Sequence, residues 1–427
     1  DESTQSSWES GSHWPQLINQ IGYEDSHCLQ SYFITEREKQ IKARGKKMIG
    51  WDEIVEGGLA PNATVMSWRG TQGAIAAANQ GHDVILTPSS HAYFDYYQAA
   101  HQEEPTAIGG YLPLKKVFGF NPVPKALQQT DAALHVLGAQ GNVWTEYMAT
   151  QDQIAYMVFP RIFAMSEVVW SGPTKNLETD YDDFLVRLEP NLKRLDLKQI
   201  NYGNHLYDIE GDVMKNQGKV IYNLTTPTQG KEIKYSINGG KQQVYTQGLH
   251  ISKDVIINAQ LYKDNLALGR AFSDTIHYHK AINASVVVNV APHPAYGAGG
   301  TDALINGVLG SNTRFADKQW LGFWGDDLQI TITFAKPTKI SKISTRFYKA
   351  NGQWLYAPKT LEIQTDFGTL PMVKLPATDQ PILDVNLKAD GITSFIKISV
   401  PSFGVIPDGL QGAGNKAWTF IDEIVVE

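Results

Sequence analysis

The sequence predicts an α/β fold in the first half of the chain and an all-β fold in the remainder. Between residues 26 and 205, helical and strand patterns alternate, which is typical of a parallel sheet whose strands are joined by helices. From residue 206 onward, short β-prone runs alternate with turn signals, and no long helical pattern occurs. The length of 427 residues agrees with two to four domains at roughly 100 to 200 residues each.

Four strand–helix units follow one another in the first half. One helical pattern ends at Gly45, and a second, rich in small residues, ends at Gly81. The strands are predicted at 48–51, 64–68, 83–87 and 135–138, and the closing helices at 151–169 and 184–195. Four units make half of an eight-unit barrel, so the sequence predicts half of a (β/α)8 TIM barrel within residues 1–205.

The remainder is predicted to form two β-sandwich domains. Residues 206–281 contain short β-prone runs and the turn sequence Asn238-Gly239-Gly240, which indicates a small β-sandwich. Residues 282–427 form a second all-β region, in which 330–334 alternates between apolar and polar side chains.

Composition excludes several classes of function. The net charge of -7 does not indicate nucleic-acid binding. No apolar run approaches the length of about 18 residues that spans a membrane. The single cysteine, Cys28, excludes an intrachain disulfide and makes no zinc site by itself. Histidine spacings typical of a metal site and a glycine-rich phosphate loop are both absent from the sequence.

Five short motifs stand out, and the tryptophans of three of them lie at or just beyond predicted strand ends, where barrels of this kind carry their chemistry. They are DE at 1–2 with Trp8 after it, GWDEI at 50–54, SWRG at 67–70, YFDYY at 93–97 and GNVWTE at 141–146. With FPR at 159–161 and EVVW at 167–170, they make residues 1–205 resemble the second half of the family 20 glycoside hydrolases, the β-N-acetylhexosaminidases.

The resemblance implies a catalytic pair, Asp1 and Glu2. In this family the substrate's own 2-acetamido oxygen acts as the nucleophile, an exception among retaining glycosidases. By resemblance, Glu2 is the general acid and base, and Asp1 accepts a hydrogen bond from the acetamido N–H. Tyr93 is the third catalytic residue, whose hydroxyl donates to the acetamido oxygen.

Substrate-binding residues are implied in the same way. Trp51, Trp68 and Trp144 would line a small apolar box around the acetamido group, and Asp95 and Glu146 would accept hydrogen bonds from sugar hydroxyls. Asp52, Glu53 and the two arginines Arg69 and Arg161 are interpreted as structural.

The implied activity is exo-acting hydrolysis of terminal β-linked GlcNAc or GalNAc through an oxazolinium-like intermediate, with no cofactor. The implied partners are N-acetylhexosamine-terminated glycans, and the implied location is the bacterial periplasm or cell surface. Two alternatives stay open: a catalytically incomplete carbohydrate-binding protein, and a disaccharide-releasing relative of the same family. The intact acidic pair and the complete tryptophan set favour the hydrolase.

Half a barrel has open strand edges, which expose unpaired backbone and apolar surface. We therefore expect an N-terminal barrel half, either in a longer parent chain or in a second polypeptide.

The C-terminal region has its own resemblance. The runs LING at 304–307, FWGDD at 323–327 and FIDEI at 420–424 resemble a discoidin-type jelly roll of the family 32 carbohydrate-binding kind. This resemblance implies a possible carbohydrate-binding domain over 282–427 and a structural calcium ion, with Glu423 as a candidate ligand. A purely structural appendage is the alternative. Residues 206–281 resemble the small β domain often attached to bacterial hexosaminidases.

Overall fold

The computed structural model describes residues 16, 18, 20, 22, 27–99, 104–216, 218–297, 299–315, 317–376 and 380–427. The chain divides into two compact units. One lies within Asp1–Ala99 and Pro105–Gly203, and the other within Ala100–Glu104 and Asn204–Glu427. The first unit mixes helices and strands and the second is rich in strands, which confirms the predicted change from α/β to β structure.

The first unit contains a four-stranded parallel sheet in the order β1-β2-β3-β4. Its strands are β1 (Ile49–Trp51), β2 (Thr64–Ser67), β3 (Val84–Leu86) and β4 (Val136–Ala139). Val65, Val84 and Leu86 are fully buried, because a parallel sheet is covered on both faces.

Seven described α-helices accompany this sheet. They are α1 (His27–Lys42), α2 (Gln72–Asn79), α3 (Ser89–Ala92), α4 (Leu114–Phe118), α5 (Gln151–Val158), α6 (Arg161–Ser171) and α7 (Leu177–Leu197). The predicted stops after α1 and α2 are confirmed, since Gly45 and Gly81 both have positive φ angles and donate back to the helix they end. The predicted apolar stripe of α7 is also confirmed, with Phe184, Leu188 and Leu192 buried.

Two single-turn 3-10 helices, Asp52–Val55 and Asp131–His135, interrupt the pattern of strands and α-helices. The first carries two acidic residues directly after β1. No described helix is long and apolar enough to cross a membrane.

The described part of the second unit contains three antiparallel sheets. The first two have the strand orders β5-β6-β9 and β11-β10-β7-β8. Their strands are β5 (Glu210–Asn216), β6 (Lys219–Thr225), β7 (Glu232–Ile237), β8 (Gln243–Val244), β9 (Leu249–Ile251), β10 (Val255–Lys263) and β11 (Leu266–Ile276). Both sheets contribute to one apolar core, which includes Tyr222, Ile257 and Leu261.

The third sheet has nine strands and a second apolar core. Its strands are β12 (Ser285–Val288), β13 (Leu321–Trp324), β14 (Leu328–Tyr348), β15 (Thr360–Thr365), β16 (Gly368–Thr369), β17 (Val373–Lys374), β18 (Ile382–Val400), β19 (Trp418–Ile421) and β20 (Val425–Val426). The long strands β14 and β18 pair from Leu328↔Val400 to Tyr348↔Ile382. The predicted alternation at 330–334 is confirmed, since Ile330, Ile332 and Phe334 are buried.

Candidate active site

The described site residues follow the carboxyl ends of the four parallel strands. Trp51 ends β1 and Trp68 directly follows β2. Tyr93 and Asp95 come after β3 and the short helix α3, and Trp144 comes after β4. The predicted catalytic pair, Asp1 and Glu2, lies outside the described residues, as does Trp8.

Backbone hydrogen bonds join the loops that follow β3 and β4. Phe94 N–H donates to the Asn142 carbonyl at 2.7 Å, and Asn142 N–H donates to the Ala92 carbonyl at 2.7 Å. Tyr93 and Asn142 thereby form a parallel bridge beyond the ends of the regular strands. This pairing places the loop that carries Tyr93 and Asp95 beside the loop that carries Trp144.

Aromatic rings converge at this edge of the sheet. The ring centroids of Trp51 and Trp144 are 5.8 Å apart, and those of Trp68 and Tyr93 are 6.3 Å apart with the planes 29° from parallel. Both separations lie in the range of favourable aromatic pairs. Trp144 is 42% exposed, whereas Tyr93 is buried, so the cluster has an open side and a covered side.

The Tyr93 hydroxyl is kept in its neutral form. Burial raises the pKa of Tyr93 to about 12, although hydrogen bonds with Asn142 and Trp144 oppose the increase. At neutral pH the group therefore remains an O–H donor.

Asp95 is buried at 3% exposure, and its Oδ1 atom has no hydrogen-bond partner among the described residues. Burial raises the pKa of Asp95 to about 6, against the lowering effects of a backbone hydrogen bond and of Arg161, while Glu146 raises it further. An unsatisfied buried carboxylate oxygen is costly, which makes it a strong acceptor for a ligand hydroxyl.

Asp95 lines a small, partly open pocket. The pocket wall is formed by Asp95, residues 105–108, Trp144, Tyr147, Met148, Gln153 and Met157. The wall combines apolar side chains with the polar groups of Asp95, Thr106 and Gln153, whereas Trp51, Trp68 and Tyr93 do not line it. Glu146, predicted to bind sugar hydroxyls with Asp95, is exposed and does not line this pocket.

Comparison with known proteins supports the resemblance. The catalytic-domain model of glycosyl hydrolase family 20 matches residues 1–173. This part of the chain is similar to that catalytic domain, and we refer to it as the family 20 segment because of this similarity. The β-hexosaminidase of Porphyromonas gingivalis is 48% identical over 203 residues, which are 47% of this chain and 26% of that protein. The β-hexosaminidase of Vibrio furnissii is 33% identical over 168 residues, which are 39% of this chain and 28% of that protein.

The chain thus spans about a quarter of the length of these two relatives. Among solved structures, a family 20 exo β-N-acetylglucosaminidase from Vibrio harveyi in complex with N-acetylglucosamine is 31% identical with a TM-score of 0.43. That match covers 47% of this chain and 32% of the solved one.

Two acidic residues of the family 20 segment form hydrogen bonds with the SWRG motif at the end of β2. Asp52 accepts hydrogen bonds from Arg69 Nε at 2.9 Å and from Ser67 Oγ at 3.2 Å. Glu53 accepts from the indole Nε1 of Trp68, at 3.0 Å to Oε1 and 3.1 Å to Oε2. The structural role predicted for Asp52 and Arg69 is confirmed, whereas the contact of Glu53 with a site tryptophan was not foreseen from the sequence.

Arg161 lies beneath the site of the family 20 segment and is fully buried. Its guanidinium stacks over the Phe94 ring at 5.1 Å and donates to the carbonyls of Phe94, Tyr96, Leu112 and Met157. These bonds to backbone carbonyls agree with the structural role predicted for Arg161. Arg161 therefore fixes the backbone on either side of Asp95.

Glu423, the predicted calcium ligand, lies in the second unit and is fully buried. Val426 N–H donates to His279 Nδ1, so the proton of the neutral ring is on Nε2, which donates to Glu423 Oε1 at 2.7 Å. Glu423 Oε2 accepts from Asn306 N–H at 3.1 Å. Both oxygens of Glu423 thus accept hydrogen bonds within the protein, and the calcium site stays a prediction. Among the described residues, no group of three or more His, Cys, Asp or Glu side chains could hold a metal ion.

Proposed function

We propose that the first unit is the second half of a family 20 (β/α)8 barrel and supplies the sugar pocket of an exo-acting retaining β-N-acetylhexosaminidase. The observation that carries this proposal is the convergence of three tryptophans and Tyr93 beside a buried Asp95 that lacks a partner for one oxygen. Rings offer apolar faces to an acetamido methyl group, and the carboxylate offers an acceptor to a sugar hydroxyl.

Tyr93 has the chemistry needed to orient the internal nucleophile. Its hydroxyl stays protonated at neutral pH, since burial raises its pKa to about 12. It donates to the acetamido oxygen and holds that oxygen near the anomeric carbon. Holding a nucleophile in an attacking position is worth about 7 to 11 kcal/mol in favourable cases.

The proposed reaction has two steps. The acetamido oxygen attacks the anomeric carbon while Glu2 protonates the departing glycosidic oxygen, and an oxazolinium-like ring forms. Water then attacks the same carbon, Glu2 removes its proton, and the ring opens to release the sugar with retained configuration. Asp1 accepts the acetamido N–H bond and stabilises the positive charge of the ring. Terminal β-linked GlcNAc or GalNAc is the proposed substrate unit, bound through Asp95 and Glu146.

The second unit is proposed to consist of a small β-sandwich over 206–281 and a discoidin-like domain over 282–427. In the latter, Trp324 is half exposed and stacks on Trp418 with the planes 16° from parallel. An exposed indole face suits stacking on a sugar, which supports a carbohydrate-binding role. Because the relatives from Porphyromonas gingivalis and Vibrio furnissii are bacterial β-hexosaminidases, we also propose export to the periplasm or cell surface.

Release of a chromogenic aglycone from a β-GlcNAc substrate, by the chain together with an N-terminal barrel half, tests the activity, with Glu2→Gln as the paired variant. The proposal predicts hydrolysis that the variant loses, and tight binding of a thiazoline that mimics the cyclic intermediate. Full activity in Glu2→Gln would contradict the assignment of Glu2 as the general acid. Thiazoline binding without hydrolysis would favour the carbohydrate-binding alternative, and release of a disaccharide from a longer glycan would favour the disaccharide-releasing one.

A further inference from the structure

The contact between Glu53 and Trp68 is the starting point. Glu53 is buried in the 3-10 turn after β1, and both of its oxygens lie within hydrogen-bond distance of Trp68 Nε1. The two residues are 15 positions apart and come from neighbouring parallel strands. A buried carboxylate that accepts an N–H bond makes a stronger bond than a neutral acceptor does.

The neighbouring Arg69 is not the closest partner of the Glu53 carboxylate. Arg69 Nε is 2.9 Å from Asp52 Oδ1 but 3.8 Å from Glu53 Oε1, and Arg69 also pairs with Glu56 at 2.8 Å. The close partners of Arg69 are therefore Asp52 and Glu56. The short contacts of Glu53 are made with the indole.

The indole of Trp68, which donates to Glu53, is part of the aromatic cluster. Trp68 stacks on Tyr93, and Tyr93 in turn contacts Tyr96 at 5.6 Å between ring centroids. A tryptophan ring can rotate about χ2, a torsion with a broad preference, so packing alone fixes its orientation weakly. A bond from the ring nitrogen to a fixed acceptor selects one orientation.

We propose that Glu53 is a positioning residue, which fixes the ring plane of Trp68 against Tyr93 and thereby shapes the acetamido pocket. The inference rests on the proposed function in taking Trp68 as a wall of that pocket. The carboxylate acts on the substrate only through the tryptophan. Its loss therefore leaves the sugar-hydroxyl contacts of Asp95 intact and misaligns the internal nucleophile.

The first test is spectroscopic and needs no activity. In the 427-residue chain, the indole N–H resonance of Trp68, assigned by its loss in Trp68→Phe, is expected well downfield because the acceptor is charged. Glu53→Gln is expected to shift this resonance upfield. Glu56→Gln is the matched control, since Glu56 lies on the same segment, is exposed and contacts Arg69 instead of the indole. An unmoved resonance in Glu53→Gln overturns the proposal.

The second test is kinetic. Glu53→Gln is expected to lower kcat by about 10- to 100-fold with a smaller change in KM, because a misplaced nucleophile costs about that much. Introduced into Trp68→Phe, which has no ring N–H, the same substitution is expected to have little further effect. An equal loss in both backgrounds would show that Glu53 acts only on the fold and overturns the positioning role. If the wild-type chain releases no sugar even with an added N-terminal barrel half, the proposed function fails, and the resonance shift alone decides the inference.

Discussion

The protonation state of Asp95 affects both the stability of the fold and the ability of the pocket to accept a hydrogen bond from a sugar hydroxyl. Its buried side chain has a pKa of about 6, so at neutral pH the carboxylate is charged although one oxygen has no partner among the described residues. The raised pKa means that the folded state holds the proton more tightly than the unfolded chain does. Stability from this group is therefore present at low pH and is lost as the pH rises from the unfolded pKa of 3.8 through about 6.

Replacing Asp95 with Asn is expected to stabilise the protein at pH 8. At about 1.4 kcal/mol per pKa unit, the free energy of unfolding should gain about 1 to 3 kcal/mol, since the buried charge is removed. Urea unfolding of both proteins at pH 4 and pH 8 measures this, and the advantage of the variant should shrink at the lower pH. A variant that is less stable than wild type at pH 8 would contradict the assignment of a strained carboxylate.

The same carboxylate predicts a pH dependence of substrate binding. As the pH falls below about 6, Asp95 becomes protonated and is a weaker acceptor for a sugar hydroxyl. We expect KM to rise on the acid side with an apparent pKa near 6, and this limb to disappear in Asp95→Asn. If KM still rises at low pH in Asp95→Asn, a group other than Asp95 causes the increase.

Tyr93→Phe separates the hydroxyl from the ring. The ring contact with Trp68 is retained, but the donor to the acetamido oxygen is lost, so kcat should fall on the order of 100-fold. Steady-state kinetics measure the change, with Tyr96→Phe as the neighbouring control. A Tyr93→Phe enzyme with wild-type kcat would mean that the hydroxyl does not touch the reacting acetamido group.

At the scale of elements, Arg161 connects the start of α6 to the loops that carry the site. It donates to carbonyls on both sides of Asp95 and to Leu112 ahead of α4. Removing it leaves several buried carbonyls without a donor, at about 1 to 3 kcal/mol each.

Arg161→Met is therefore expected to destabilise the first unit by at least about 3 kcal/mol. Scanning calorimetry should show a lower transition for the first unit and an unchanged transition for the second. Arg187→Met is the matched control, because Arg187 makes an exposed pair with Glu167 on the outside of α6 and α7. Equal effects of the two substitutions would contradict a special role for the buried arginine.

Local signals in the sequence predicted most of these elements, although the helix predicted over 151–169 is two helices, α5 and α6. Long-range pairings explain the site contacts that were missed. The glycines that end α1 and α2 and the apolar spacing of α7 act within a few residues, so the sequence displays them directly. Glu53 meets Trp68 only because β1 and β2 are adjacent, and His279 meets Glu423 across 144 positions. Neither partner can be identified from spacing, because the pairing depends on the completed sheets.

At the scale of the whole molecule, the parallel sheet has two open edges in the part of the chain that the structure describes. Ile49 on β1 is 53% exposed and Leu137 on β4 is 61% exposed, and Trp170 at the end of α6 is 92% exposed. Apolar surface at unpaired strand edges favours association with further strands. These features support the proposal that an N-terminal barrel half, from a longer chain or a second polypeptide, closes the sheet.

Complementation tests this proposal. A family 20 N-terminal barrel half, added as a separate polypeptide, is expected to bind the chain, raise the melting temperature of the first unit and reduce dye binding to apolar surface. Charging both edges with Ile49→Lys and Leu137→Lys should weaken the association by at least about tenfold, since each lysine would be buried unpaired at the joint. Ile392→Lys is the matched control, because Ile392 is equally exposed but lies in the second unit. Association that tolerates the charged edges, or full hydrolytic activity of the chain without the added half, would show that these edges are not where the barrel closes.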